Sequence, residues 1–325
     1  VTEVFARPLR GPSVVDLPGD ADLVAAPLVS ARRPAQWIGT AVVVLLLAMA
    51  LHAVVTNERF QWHVVGSYFT DDAILRGLGL TLWLTAAVLV VGYLLGIVLA
   101  AMRLSTNRLL SGIAFGYVWL FRSVPPLVQL LFWYELASLY PRLSIGIPFG
   151  PEFATVETAH LFSGVFAAFV ALSLDIAAFA AEVVRGGLLS VDHGQTEAAQ
   201  SLGLGRLRIF RRIVLPQAMP SIIPASGNML IGLLKATSIV SVIAVQDLLY
   251  SAELIYQQNY LIIPLLLVAT VWYVILTTVL SIGQHYVERH YARGNRRDTG
   301  TGFRDTLRAN LPLLGSAWTQ RGARA

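Results

Sequence analysis

Four ionisable residues interrupt apolar stretches of this chain: Arg122, Asp175, Glu182 and Lys235. A charge in such a setting is costly unless it is paired or faces a polar cavity, so each is a candidate for binding a charged group. Asp175 and Glu182 stand seven residues apart, which puts both carboxylates on one face of a helix, and Arg185 follows Glu182 at i+3. That pattern fits carboxylates offered to a cation as well as it fits a buried pair linking helices. Arg122 precedes Pro125 and Pro126, a break that frees backbone carbonyls, and it either meets a carboxylate there or anchors a helix end at an interface. Lys235 either snorkels outward or touches a ligand or a neighbouring helix.

The chemistry open to these residues is recognition of charge. Cysteine is absent, so no thiolate nucleophile or cysteine metal site can be built, and the histidines are scattered singly, so no metal site is expected. Lys235 is the only lysine, and it lies between Leu234 and Ala236 with no glycine-rich loop before it. A phosphate-cradling P-loop is therefore excluded, and the chain is expected to bind no cofactor of its own.

The elements that position these residues are membrane spans. With 56% hydrophobic and 13% charged residues, the chain is too apolar for a soluble domain, in which charged residues make up about a quarter. Apolar runs at 36–56, 73–102, 113–140, 160–184, 217–245 and 261–283 reach or exceed the ~20 residues that cross a bilayer as helix. The net charge of +5 sits in short segments beside these runs and not in one stripe, which points to membrane topology and away from nucleic acid. Basic residues dominate before the first run, after the second, between the fourth and fifth, and after the sixth, while the connections between are acidic or mixed. By the positive-inside rule both termini and the 185–216 segment are cytoplasmic. Residues 1–35 and 289–325, rich in proline or in glycine and arginine, read as cytoplasmic tails, although Phe303, Leu307, Leu311 and Leu314 also fit a short surface helix. The polar start fits no cleavable signal peptide. Gly92, Gly96 and Ala100 form a face of small residues suited to close helix packing, within the subunit or against another.

Between the fourth and fifth runs lies a polar island, 191–216. Asp192 followed by Gln195 resembles a capping box, with the carboxylate accepting from the Gln195 N–H, so a helix is expected to start there. Gly203 suits the left-handed residue that ends it, and Gly205 adds a second flexible point. A second helix follows, with Leu207, Phe210 and Val214 on one stripe beside Arg206, Arg208, Arg211 and Arg212, and Pro216 is expected to stop it. The small Ala198 and Ala199 leave a surface on which the groove of a partner can close.

At these residues the chain resembles the permease subunit of a bacterial ABC importer. The hallmark of that family, Glu-Ala-Ala, three residues, Gly, and an apolar-x-Leu-Pro ending, is matched by Glu197, Ala198, Ala199, Gly203, Ile213, Leu215 and Pro216. Gly194 and Gln195 before the motif, Gln217 and Ala218 after it, Asn228, and the Lys-Ala-Thr-Ser run at 235–238 are similar to the branch that imports polar amino acids. Upstream agreement includes Thr81 to Thr85, Arg103 to Ser105, Leu127 to Leu130 and the Ala-Glu-Val-Val-Arg-Gly-Gly run at 181–187. Departures are Ser123 and Val124 where the branch has Gly-Thr, the 176–179 segment where it has Gly-Ala-Tyr, and Ala236 where it has Asp.

The resemblance covers 73–288. It implies an all-α integral membrane protein with a five-helix type I ABC importer permease core, plus one additional N-terminal helix at 36–56. It further implies a coupling-helix loop at 191–216 with Gln195, Glu197, Ala198, Ala199, Gly203, Leu215 and Pro216 as ATPase-coupling residues. The implied partners are a cytoplasmic ABC ATPase dimer that uses the ATP, a second permease subunit, an extracytoplasmic amino-acid-binding protein and membrane lipid. The chain itself is then no enzyme, and it sits as a multi-pass protein in the bacterial cytoplasmic membrane. A zwitterionic cargo would place Arg122, Asp175, Glu182 and Lys235 along the substrate pathway. Another small polar solute as cargo, or a stand-alone secondary transporter, are the alternatives.

Overall fold

The structure, a computed structural model, describes residues 34–146 and 152–292. The tails expected at 1–35 and 289–325, including the surface helix around Phe303 to Leu314, lie almost wholly outside the described residues. The chain divides into two units, Val1–Glu58 and Arg59–Ala325. What is described of the first is one apolar helix, α1 (Pro34–Thr56), long enough to cross a bilayer.

The second unit is built of helices whose starts are written locally. After α2 (Trp62–Tyr68), Asp71 caps α3 (Asp72–Arg103) by accepting from the Ala73 N–H at 2.8 Å. Asn107 caps α4 (Arg108–Ser123) in the same way through the Leu109 N–H. The chain then turns by 101° into α5 (Pro126–Tyr134). Two prolines without N–H groups impose this break, and Pro126 occupies the first helical position, where the missing donor costs nothing. The break expected at Pro125 and Pro126 within the 113–140 run is thus a sharp bend between two helices.

A short α6 (Leu136–Leu139) leads into strands β1 (Arg142–Gly146) and β2 (Glu152–Glu157), an antiparallel hairpin in a stretch expected to be a plain loop. One turn, α7 (Thr158–Leu161), precedes α8 (Gly164–Leu189), so the expected run at 160–184 starts late and ends late. Then come α9 (His193–Ser201), α10 (Arg206–Ile209), a π-helical turn over Phe210–Val214 and α11 (Leu215–Ala236). A 3-10 segment, Thr237–Ile243, ends at Ala244, which takes a left-handed backbone with φ 58°. The unit closes with α12 (Leu248–Asn259) and α13 (Ile262–Ala292), which runs beyond the expected end at Gly283. Among the described residues five helices are long and apolar enough to span a membrane, and the bent α4–α5 pair makes six.

Lipid tails are as apolar as leucine, so these helices associate by close fit rather than by hydrophobic exclusion. The α3–α8 contact shows it. A Cβ on Gly92 would lie 2.6 Å from the Ile176 side chain, and one on Gly96 would lie 2.5 Å from the Ala180 Cβ. The small-residue face at Gly92, Gly96 and Ala100 is thus used inside the subunit. Around it Leu84, Val88, Leu130, Leu172, Leu233 and Val240 form one core cluster, while Ile74, Leu78, Leu248, Leu265 and Val268 form a second between α3, α12 and α13.

Candidate functional site

In the 191–216 loop, Asp192 does cap α9, but its carboxylate accepts from the Gly194 N–H at 2.7 Å, and Gln195 N–H instead bonds the Asp192 carbonyl at 3.1 Å. The capping box expected with Gln195 is not formed, which leaves the Gln195 side chain exposed. The far end follows the sequence signal closely. Gly203 takes φ 75°, its N–H bonds Gln200 O at 2.9 Å, and Leu204 N–H reaches back to Ala199 O at 3.2 Å. These are the two bonds of a Schellman motif, which the left-handed glycine permits.

Glu197 and Ala198 face outward, whereas Ala199 is 3% exposed inside the loop. Only one of the paired alanines is therefore open to a partner; the other lets the loop fold on itself. Leu202 and Leu207, 80% and 69% exposed, add apolar surface that is open among the described residues.

Pro216 does not stop the helix. The π-helical turn closes with Leu215 N–H bonded to Phe210 O, and α10, the turn and α11 form one continuous span, Arg206–Ile243. Pro216 sits in the first turn of α11, and two further prolines, Pro220 and Pro224, lie inside that helix. Leu215 and Pro216 thus connect the loop rigidly to α11. The two spans that flank the loop are packed together at its base: Gly187 at the end of α8 lies directly against Ile222 of α11, and the Ser190 and Ser221 hydroxyls lie 3.2 Å apart.

The ionisable residues sort into three places. Glu182 pairs with Arg185 at 2.7 Å, as the i+3 spacing predicts, and also with Arg103 from the end of α3 at 3.6 Å. Arg122 lies with its guanidinium 5.3 Å from the centre of the Phe179 ring. Arg103, Arg122 and Glu182 line an open cleft of about 450 Å³ with Phe115, Trp119 and Phe179. Cations outnumber the single carboxylate there, so the cleft favours an anionic group.

Asp175 is elsewhere. It is buried and receives Gln129 Nε2 at 3.3 Å, while the same amide donates to Phe121 O at 2.9 Å and Val124 O at 2.8 Å, the carbonyls freed at the proline break. Sharing a helix face with Glu182 does not bring the two into one pocket, because α5 covers the upper turn alone. Lys235 is exposed on α11, in line with exposed Asn228 and Gly232.

Three participants were not singled out as site residues in the sequence. Arg103 and Gln129 stood only within the segments at 103–105 and 127–130 that match the family. Asp247 is fully buried, caps α12 through the Tyr250 N–H at 2.8 Å, and faces Tyr273 Oη at 3.4 Å. Burial pushes its carboxyl up to about 6.

The family of binding-protein-dependent transport system inner membrane components matches residues 92–293. The chain belongs to this family. It is 39% identical over 268 residues to the arginine transport system permease protein of Corynebacterium glutamicum, spanning 82% of this chain and 83% of that one. The nopaline transport system permease protein of Agrobacterium fabrum is 34% identical over 208 residues, 64% of this chain and 83% of that one. Among solved structures, an amino acid ABC transporter with histidines superposes with a TM-score of 0.57 at 32% identity, covering 67% of this chain and 94% of that one. As an inner membrane component, this chain is a multi-pass transport permease. Helix α1 precedes the matched region.

Proposed function

We propose that this chain is the permease subunit of an ATP-driven ABC importer that moves polar amino acids across the cytoplasmic membrane. The observation that carries the coupling is the continuous helix from Arg206 to Ile243, preceded by a capped, Schellman-terminated α9 that offers Glu197 and Ala198 to solvent. With no P-loop in the chain, ATP is hydrolysed on a separate cytoplasmic subunit whose cleft receives α9. Gln195, Glu197 and Ala198 make that contact, Ala199 and Gly203 shape the helix, and Leu215 and Pro216 transmit its movement. ATP binding draws the loops of two permeases together, and α8 and α11 reorient with them. In this reading both termini and the loop are cytoplasmic, and the chain binds no cofactor itself.

The second permease subunit covers the polar line of Asn228, Gly232 and Lys235, since exposed polar residues on a span avoid lipid. The cargo carboxylate is met in the arginine cleft by Arg122 beside Glu182, while Asp175 acts from behind by holding Gln129 against the α4–α5 break. Lys235 faces the pathway between the two subunits.

The coupling is tested by Glu197→Arg. Uptake driven by ATP should fall at least tenfold, and the ATPase should separate from the permease during purification, with membrane insertion unchanged. Retained ATPase and undiminished uptake would falsify the assignment.

A further inference from the structure

Four arginines of the 191–216 loop are left unused by the coupling contact. Arg206, Arg208, Arg211 and Arg212 are all exposed, and with Leu207 and two glycines they line an open cleft of about 960 Å³. No acidic side chain lines this cleft, and among the described residues none of the four arginines is ion-paired. Like charges held this closely repel one another, and an anion that accepts hydrogen bonds from several guanidinium groups relieves that repulsion.

The apolar side chains of the same segment do not all turn inward. Ile209, 3% exposed, packs into the subunit, while Leu207 and Phe210 of the expected stripe stay exposed. The outer surface therefore alternates guanidinium groups with large apolar side chains. Water suits only the first kind, whereas the boundary between lipid headgroups and acyl chains accepts both.

Depth puts the segment at that boundary. The stretch from Ile213 to Leu234 carries no charged residue, and the 22 residues of α11 extend about 33 Å, against a hydrocarbon thickness of about 30 Å. Helix α11 alone thus fills the apolar layer. Arg211 and Arg212 fall within about one turn of its start, roughly 5 Å beyond the acyl chains, which is the depth of the headgroup layer. Arg206 and Arg208 follow one to two turns further out, within a screening length of about 8 Å from the lipid phosphates.

We propose that the arginine cleft binds the phosphate groups of anionic phospholipids in the cytoplasmic leaflet, with Leu207 and Phe210 resting against the adjoining acyl chains. Lipid then holds the root of α11 while the ATPase holds α9. The side of the membrane rests on the importer reading above. The test uses the complex of permease and ATPase in nanodiscs of phosphatidylcholine alone or mixed with an equal part of phosphatidylglycerol, followed by native mass measurement of the lipid that stays bound. The parent should keep phosphatidylglycerol in preference to phosphatidylcholine, and should release it as ammonium acetate is raised. Arg206→Gln, Arg208→Gln, Arg211→Gln and Arg212→Gln together should lower its retention at least about tenfold, while lysine at all four positions, which keeps the charge, should hold it within about threefold of the parent. In phosphatidylcholine alone the ATPase should co-purify with both variants as with the parent. Retention indifferent to salt, or equal in the parent and the glutamine variant, overturns the lipid assignment. Loss of the ATPase from the glutamine variant in phosphatidylcholine also overturns it, because the arginines would then face the ATPase. A parent complex that imports no amino acid when ATP and its binding protein are supplied overturns the importer reading instead, and the count of bound lipid does not depend on that result.

Discussion

At the scale of single residues, Glu182 and Asp175 differ by environment, not by type. Glu182 sits where three helices bring Arg103, Arg122 and Arg185 around one carboxylate, open to a cleft. Asp175, two turns away on the same helix, is closed off by Gln129. A substitution that removes charge but keeps shape should separate the roles. With saturating binding protein, Glu182→Gln should lower uptake at least tenfold, because the arginines lose their partner and hold the cargo carboxylate too tightly or out of place. Asp175→Asn keeps an acceptor for the Gln129 amide and should transport within about twofold of the parent, since a neutral hydrogen bond of similar geometry differs by only about 1 kcal/mol. Equal losses in both variants would return Asp175 to the pathway.

At the scale of elements, the contact that positions this site is α3 against α8. It brings Arg103 to Glu182, and it depends on glycines at which any larger side chain meets a neighbour. A Cβ at Gly96 would lie 2.5 Å from the Ala180 Cβ and 3.0 Å from backbone atoms of Ala177 and Ala181, which cannot give way as a flexible side chain can. Gly96→Val should therefore destabilise the permease by about 1–3 kcal/mol, the usual cost of overpacking, read as a lowered midpoint of thermal unfolding in detergent. The control is Gly116→Ala, where nothing lies within 4 Å, and the midpoint should hold. The spans themselves and the loop helix α9 were legible from apolar run length, from Asp192 and from Gly203. The passage of the helix through Pro216 was not, because a proline alone reads as a stop, yet α11 carries Pro216, Pro220 and Pro224 and continues through them. The hairpin was missed for a similar reason: a short alternating stretch between spans specifies a strand only once its partner is in register.

At the scale of the whole molecule, the line of Asn228, Gly232 and Lys235 is exposed on α11, and in the proposed importer a second permease covers it. Among the described residues nothing lies within 4 Å of a Cβ at Gly232, so Gly232→Phe should leave the monomer folded, yet weaken pairing of permeases severalfold or more, as seen by native mass measurement in detergent. A stable pair with Phe at this position would place the interface elsewhere. By itself the sequence determined that the chain crosses the membrane, where most of its helices begin, and that a capped helix ended by glycine lies in the polar loop. Those properties depend on apolar run length, caps and a left-handed glycine, all of them interactions between residues close along the chain. Only the tertiary structure decided that Arg103 meets Glu182, that Asp175 meets Gln129, and that Ala199 turns inward. These depend on residues distant in sequence, and inside a membrane hydrophobicity does not say which faces touch. Close fit between helices makes that choice, and fit exists only once the helices are assembled.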